Sequence, residues 1–231
     1  MEPHLVLIGA DKGGVGKTMV SRVFIDYAAS KGINPQIFDS EGGLSRYFPD
    51  AIKVDIETVP GKMQIFDSVP TSDLTVVDMR AAVLSKTLQD MRHAGLLDPV
   101  DRGNIKLWVL HVLGSSHQSL DEVLETNKQL GDGGAHVLIE NKTSGESDFF
   151  KWDSAARNKF FAGWQGPHNY HFEFPHLDAR AAEDVDKAAQ TFDAYIKNTD
   201  KRNSDYLTRV VRHWRKQIFA KFDELRIDLK K

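Results

Sequence analysis

Residues 4–22 read HLVLIGADKGGVGKTMVSR: an apolar run, a glycine-rich loop with two lysines, then a helical pattern. No other stretch constrains the fold as tightly. Gly13, Gly14 and Gly16 let the backbone wrap so that successive N–H groups converge on one point. A helix opening directly after that loop adds the positive end of its dipole. The group that suits such a site is a phosphate. Lys17 is placed to reach the β- and γ-phosphates of a nucleotide, and Thr18 to put its hydroxyl on Mg²⁺. The strict pattern G-x-x-x-x-G-K-[ST] nevertheless fails, because Asp11 stands where its first glycine belongs. Lys12 is a second cation on the same loop, although one lysine is enough to hold the phosphates.

The rest of the chain extends the strand–loop–helix unit. Apolar runs at His4–Ile8, Gln36–Asp39, Leu74–Asp78, Lys106–Leu113, Ala135–Glu140 and Tyr170–Phe174 read as strands. Most are continuously apolar, as strands covered on both faces should be. Helical patterns fill Lys17–Ser30, Val83–Ala94, Ser119–Leu130, Ser147–Phe161, Ala179–Lys197 and Ser204–Leu225. The alternation predicts an α/β fold in a single domain: a doubly wound, mostly parallel sheet with helices on both faces. Sites in such sheets lie at the carboxyl ends of the strands. Residues 1–200 are expected to form the nucleotide-binding body, and residues 201–231 a basic helix packed on it. The 231-residue chain has no cysteine, which excludes disulfides, iron–sulfur clusters and thiolate chemistry. With no apolar run near ~18 residues and no signal-like start, a cytoplasmic location is expected.

The string Lys12-Gly-Gly-Val-Gly-Lys17-Thr18 resembles the deviant Walker A motif of the ParA/MinD family of P-loop ATPases, where the early lysine is the signature. The resemblance runs over roughly residues 4–195 and implies further site residues. Gly13, Gly14, Val15, Gly16, Lys17, Thr18 and Met19 would form the cradle for ATP. IFDSEGG, Ile37–Gly43, falls where the family carries an acidic switch, with Asp39 and Glu41 at the two acidic positions. Either carboxylate could polarise the attacking water or hold a water on the metal; Glu41 could equally cap a loop. Gly42 and Gly43 replace the family's proline and glutamine. DLTVVDMR ends a buried strand on Asp78, as a Walker B motif does, so the Mg²⁺ residues would be Thr18, Asp39 and Asp78. Asn141 falls where the family places an asparagine beside adenine, although a turn accounts for it as well. Pro175 would line the base pocket with backbone. In the family the early lysine reaches across a dimer to the partner's phosphates, which gives Lys12 a role in a homodimer formed with ATP.

Two other regions stand out. Residues 149–176 hold nine of the chain's 22 aromatic residues. Phe149, Trp152, Ala156, Phe160 and Trp164 fit one helix face, either packed on the sheet or offered to a partner. His168, His171 and His176 straddle a loop and a strand with no carboxylate in register, which argues against a metal. Residues 201–231 carry ten Lys/Arg against four Asp/Glu, whereas the whole chain has a net charge of −3. There Tyr206, Val210, Trp214, Ile218 and Phe222 form a stripe, while Arg209, Arg212, Arg215, Lys216 and Lys221 lie mostly elsewhere. Such cations form either a solvated face or a contact surface for the DNA backbone without sequence readout.

The expected function is a partner-stimulated ATPase switch that positions or partitions cargo and binds DNA nonspecifically as the ATP dimer. The alternatives are an accessory ATPase of conjugation or plasmid stability, and, less favoured, a MinD-like membrane switch, because acidic residues interrupt the basic tail.

Overall fold

A computed structural model describes residues 2–114, 118–141, 154–164, 166–198, 204–225 and 227. The elements follow in order: β1 (His4–Gly9), α1 (Lys17–Ser30), β2 (Gln36–Asp39), β3 (Ile52–Lys53), α2 (Val59–Phe66), β4 (Leu74–Asp78), α3 (Leu84–His93), α4 (Asp98–Asp101), β5 (Lys106–Leu113), α5 (Gln118–Leu130), β6 (Gly134–Asn141), α6 (Ser154–Gly163), β7 (Asn169–Phe174), α7 (Ala179–Ala188), α8 (Phe192–Lys197) and α9 (Asp205–Glu224). The strands make one sheet in the order β3-β2-β4-β1-β5-β6-β7, and every pair is parallel.

This is the doubly wound parallel sheet expected from the alternation of apolar runs and helical patterns. All residues of β1, β4 and β6 are buried, and alternate side chains feed opposite cores. Val6, Ile8, Leu110, Val137 and Phe172 face one way and pack with Phe24, Phe192, Trp214 and Phe222 of α1, α8 and α9. Leu5, Leu7, Val77 and Val109 face the other way, against Leu84 and Leu88 of α3 and Ile65 of α2. A third cluster places Leu120 and Val123 of α5 and Trp164, next to α6, over Leu113 and Leu138.

Several details differ from the sequence expectation. The two-residue edge strand β3 and the helix α2 carry too little periodicity to be read from the sequence. The single helix expected over 179–197 is broken: Ala189 takes a left-handed φ of 51°, and the Thr191 side chain accepts from the Ala194 N–H to start α8. The first part of the helix expected over 147–161, with Phe149, Phe150 and Trp152, lies outside the described residues. On α9 the strict four-residue stripe is corrected, because a helix turns every 3.6 residues and a four-residue spacing drifts around it. The buried face is Val211, Trp214, Ile218 and Phe222, whereas Tyr206 is 72% exposed. The helix packs through the Trp214 indole, which donates to the Pro175 carbonyl at 2.7 Å, and the Tyr27 hydroxyl, which donates to Asp223 at 2.9 Å.

Candidate functional site

The loop between β1 and α1 sits at the carboxyl end of the central strand, flanked by β4 and β5. Gly14 and Gly16 adopt φ of 76° and 94°, a conformation that glycine takes without a steric penalty. Gly16 is the N-cap of α1, which has no side-chain cap and no acidic residue in its first turn. The unsatisfied amides of that helix end are therefore open to an anion. Lys17 is buried with its ammonium 3.3 Å from the Glu41 carboxylate.

Thr18 and Asp78 meet as a metal pair would require: the Thr18 hydroxyl donates to Asp78 Oδ2 at 3.0 Å. Ser21, one turn further along α1, donates to Asp78 Oδ1 at 2.8 Å. Ser21 escaped the sequence reading; its only trace there is a hydroxyl on an otherwise buried helix face. Burial pushes the Asp78 carboxyl up to about 7, against the hydrogen bonds from Ser21 and Thr18 that pull it down. A hydroxyl and a buried carboxylate at the mouth of a phosphate loop form a donor set that fits Mg²⁺.

Asp39 pairs in register with Asp78 on the neighbouring strand, but its carboxylate points into its own loop. Oδ1 accepts from the amides of Glu41 (3.1 Å) and Gly42 (2.6 Å), and Oδ2 from those of Leu44 (2.8 Å) and Ser45 (3.3 Å). The group read as a water or metal ligand here anchors the backbone of the switch segment. Ser40 adds a link, since its hydroxyl donates to the Asp78 carbonyl at 3.1 Å and accepts from the Arg80 amide at 2.7 Å. Gly43 lies against Thr18, where an added Cβ would come within 3.3 Å of the hydroxyl. Gly43 thus permits a close approach of switch to loop, and Gly42 supplies the left-handed turn before it, with a φ of 91°.

Asp11, the residue that breaks the strict glycine pattern, clamps the loop from its other side. Ser119 of α5 donates to Asp11 Oδ1 at 2.8 Å and accepts from the Gly114 amide at 3.1 Å. One turn further on, burial and then the nearby Asp11 charge raise the Glu122 carboxyl to about 7, against a lowering effect of Lys17. Ser119 and Glu122 also escaped the sequence reading, because only the packing of α5 brings them to the loop. Asn141 ends β6 with its Nδ2 donating to the Val15 carbonyl at 2.8 Å, so it braces the loop. Met19 is partly buried against the core.

Other expected residues lie apart from this cluster. Arg215 is held by Asp26 at 2.9 Å and Asp193 at 3.1 Å, and Lys221 pairs with Glu224 at 3.1 Å. Arg209, Arg212 and Lys216 are exposed on α9. His171 does have a carboxylate within reach, contrary to expectation. It bonds to the fully buried Glu140, which also takes Arg157 at 2.9 Å. Among the described residues no three or more histidine, aspartate or glutamate side chains gather as a metal-holding group.

Fold and loop together define a doubly wound parallel α/β architecture with a P-loop after its central strand. No protein-family model matches the chain. It is similar to the protein MobD of Acidithiobacillus ferrooxidans, 22% identical over 227 residues that cover 94% of this chain and 95% of that one. Among solved structures it is similar to a nucleotide-binding protein of Archaeoglobus fulgidus in complex with ADP, with a TM-score of 0.48, 14% identity, and 80% and 84% of the two chains covered. It is also similar to the MinD cell division protein of Aquifex aeolicus, with a TM-score of 0.43, 11% identity, and 94% and 97% covered. A plasmid partition protein of Borrelia burgdorferi bound to AMPPNP gives a TM-score of 0.41 at 12% identity, with 95% and 99% covered.

Proposed function

We propose that the chain is an ATP-dependent switch that dimerises with nucleotide bound, hydrolyses ATP slowly under the control of a stimulating partner, and positions or partitions cargo. The observation that carries the reading is the loop itself: a buried Lys17 beside an uncapped helix end, with a second lysine, Lys12, five residues earlier. Gly13 to Met19 cradle the phosphates through backbone amides, and Lys17 meets their charge. Thr18 and Asp78 hold Mg²⁺, with Ser21 fixing the carboxylate. Bound Mg²⁺ would neutralise charge on the β- and γ-oxygens. Asp39 keeps the switch segment in place over Thr18. Asn141 stands at the base side of the loop through its hold on Val15, and Pro175 serves only as a wall. Lys12 serves the neighbour's triphosphate, which couples nucleotide state to dimerisation through a charge-assisted contact.

Arg209, Arg212 and Lys216 supply the nonspecific DNA face, because they stay exposed while Arg215 and Lys221 hold acidic partners. A second reading, an accessory ATPase of conjugation or plasmid stability acting on a protein complex, is favoured by the nearly full-length likeness to MobD.

Size-exclusion chromatography with ADP and then ATP tests the switch. ATP is expected to yield a dimer of the wild type and not of Lys12→Ala. Elution of both proteins independent of nucleotide overturns the reading. Binding to random-sequence DNA only with ATP, weakening steeply with salt, supports the DNA matrix. Affinity for a protein complex without any for DNA selects the second reading.

A further inference from the structure

The contact between Lys17 and Glu41 has a role that hydrolysis does not use. The Lys17 side chain is only 2% exposed, and its ammonium sits 3.3 Å from Glu41 Oε2; Glu41 itself is 37% exposed. The lysine that would take a phosphate is therefore already facing an anion belonging to its own chain. The backbone under Glu41 is pinned, because Asp39 accepts from the amides of residues 41, 42, 44 and 45. The side chain above it makes its ion pair on the solvent side, where it can leave. Gly43 meanwhile lies close enough to Thr18 that an added Cβ would come within 3.3 Å of its side chain, so this segment borders the proposed phosphate site.

We infer that Glu41 is a tethered anion that stands in for phosphate at Lys17, and that nucleotide binding displaces it and so reports occupancy to residues 41–43. This rests on the proposed nucleotide site and adds its regulation. The physical reason is competition. A buried ammonium gains from one charge-assisted partner, and a carboxylate left beside an arriving phosphate would repel it. The half-exposed carboxylate is easily rehydrated, whereas the lysine is not, so the exchange favours the ligand with more charge. The tether keeps the buried lysine paired in the empty chain and lowers its affinity for every phosphate ligand.

The test is calorimetric titration of ADP and pyrophosphate into wild type, Glu41→Gln, Glu41→Ala, Lys17→Ala and Glu57→Gln. Glu57→Gln removes a charge that pairs with Arg80 rather than with the loop. Both Glu41 variants are expected to bind each probe about two- to fivefold tighter, the range for losing a partly exposed competing ion pair. Lys17→Ala should lose binding, and Glu57→Gln should match the wild type. Unchanged or weaker binding by the Glu41 variants overturns the inference, as does equal tightening by Glu57→Gln. If the wild type binds neither probe and matches Lys17→Ala, the nucleotide reading itself falls with it.

Discussion

Two cations, the buried Lys17 and the partly buried Arg215, invite comparison. Lys17 in the loop and Arg215 on α9 both sit in the protein and both face carboxylates. Lys17 has one partner, Glu41, on a side open to solvent. Arg215 has two, Asp26 and Asp193, and Asp26 is itself buried and further tied by the Asp193 amide at 3.2 Å. A single half-exposed partner can be exchanged for a ligand. Two partners with one inside the core cannot be exchanged without leaving a charge stranded. On the proposed reading the first cation serves ligand exchange, while the second holds the fold together.

The largest effect that would break this contrast is expected from Arg215→Ala. Removing it leaves Asp26 uncompensated and should cost about 2–4 kcal/mol of stability in urea unfolding, with ADP affinity unchanged. A variant that keeps its stability and loses nucleotide binding would reverse the two roles. Next comes the exposed side of the same helix. The triple variant Arg209→Ala, Arg212→Ala, Lys216→Ala should fold normally and reduce the salt dependence of DNA binding by a slope of about two to three. An unaltered slope removes α9 from the DNA reading.

The smallest effect concerns pH. Burial lowers His136 to about 4, and its buried neighbour His111, 3.0 Å away, also lies well below its ordinary value. Their folded values are depressed, so the stability they support is lost as pH falls from about 6.5 toward 4. Asp78 and Glu122 are raised to about 7, so the stability linked to them is present below about 4 and lost as pH rises through 7. Glu122→Gln should therefore gain about 1 kcal/mol over the wild type at pH 8 and little at pH 4, discounting for its partial exposure. Unfolding midpoints at three pH values decide it; an equal gain at every pH would assign the effect to packing instead.

The parts that could be read in advance are those written locally. Continuous apolar runs disclosed six of the seven strands, since parallel strands are buried on both faces. Glycines at 13, 14 and 16 with Lys17 and Thr18 disclosed the loop, because its chemistry lies within seven residues. The seventh strand has two residues and leaves no pattern. Asp39 ends β2 as the apolar run predicts, but four backbone amides from its own loop claim its oxygens, which no local pattern discloses. Ser21, Ser119 and Glu122 are polar residues on helices, and nothing in their spacing says that they face the loop. Ala189 breaks a helix that propensity alone would continue.

By itself, the sequence determined a parallel α/β sheet with a phosphate-type loop after its first strand, and a cation-rich C-terminal helix. Periodicity, glycine freedom and charge are local properties that survive without knowledge of neighbours. Only the tertiary structure decided which charges are available. It brings Glu41 to Lys17, Ser21 to Asp78, Ser119 to Asp11 and Asp26 to Arg215. Each of those pairings joins residues far apart along the chain or hidden on one helix face, and burial makes their energies large enough to assign a role.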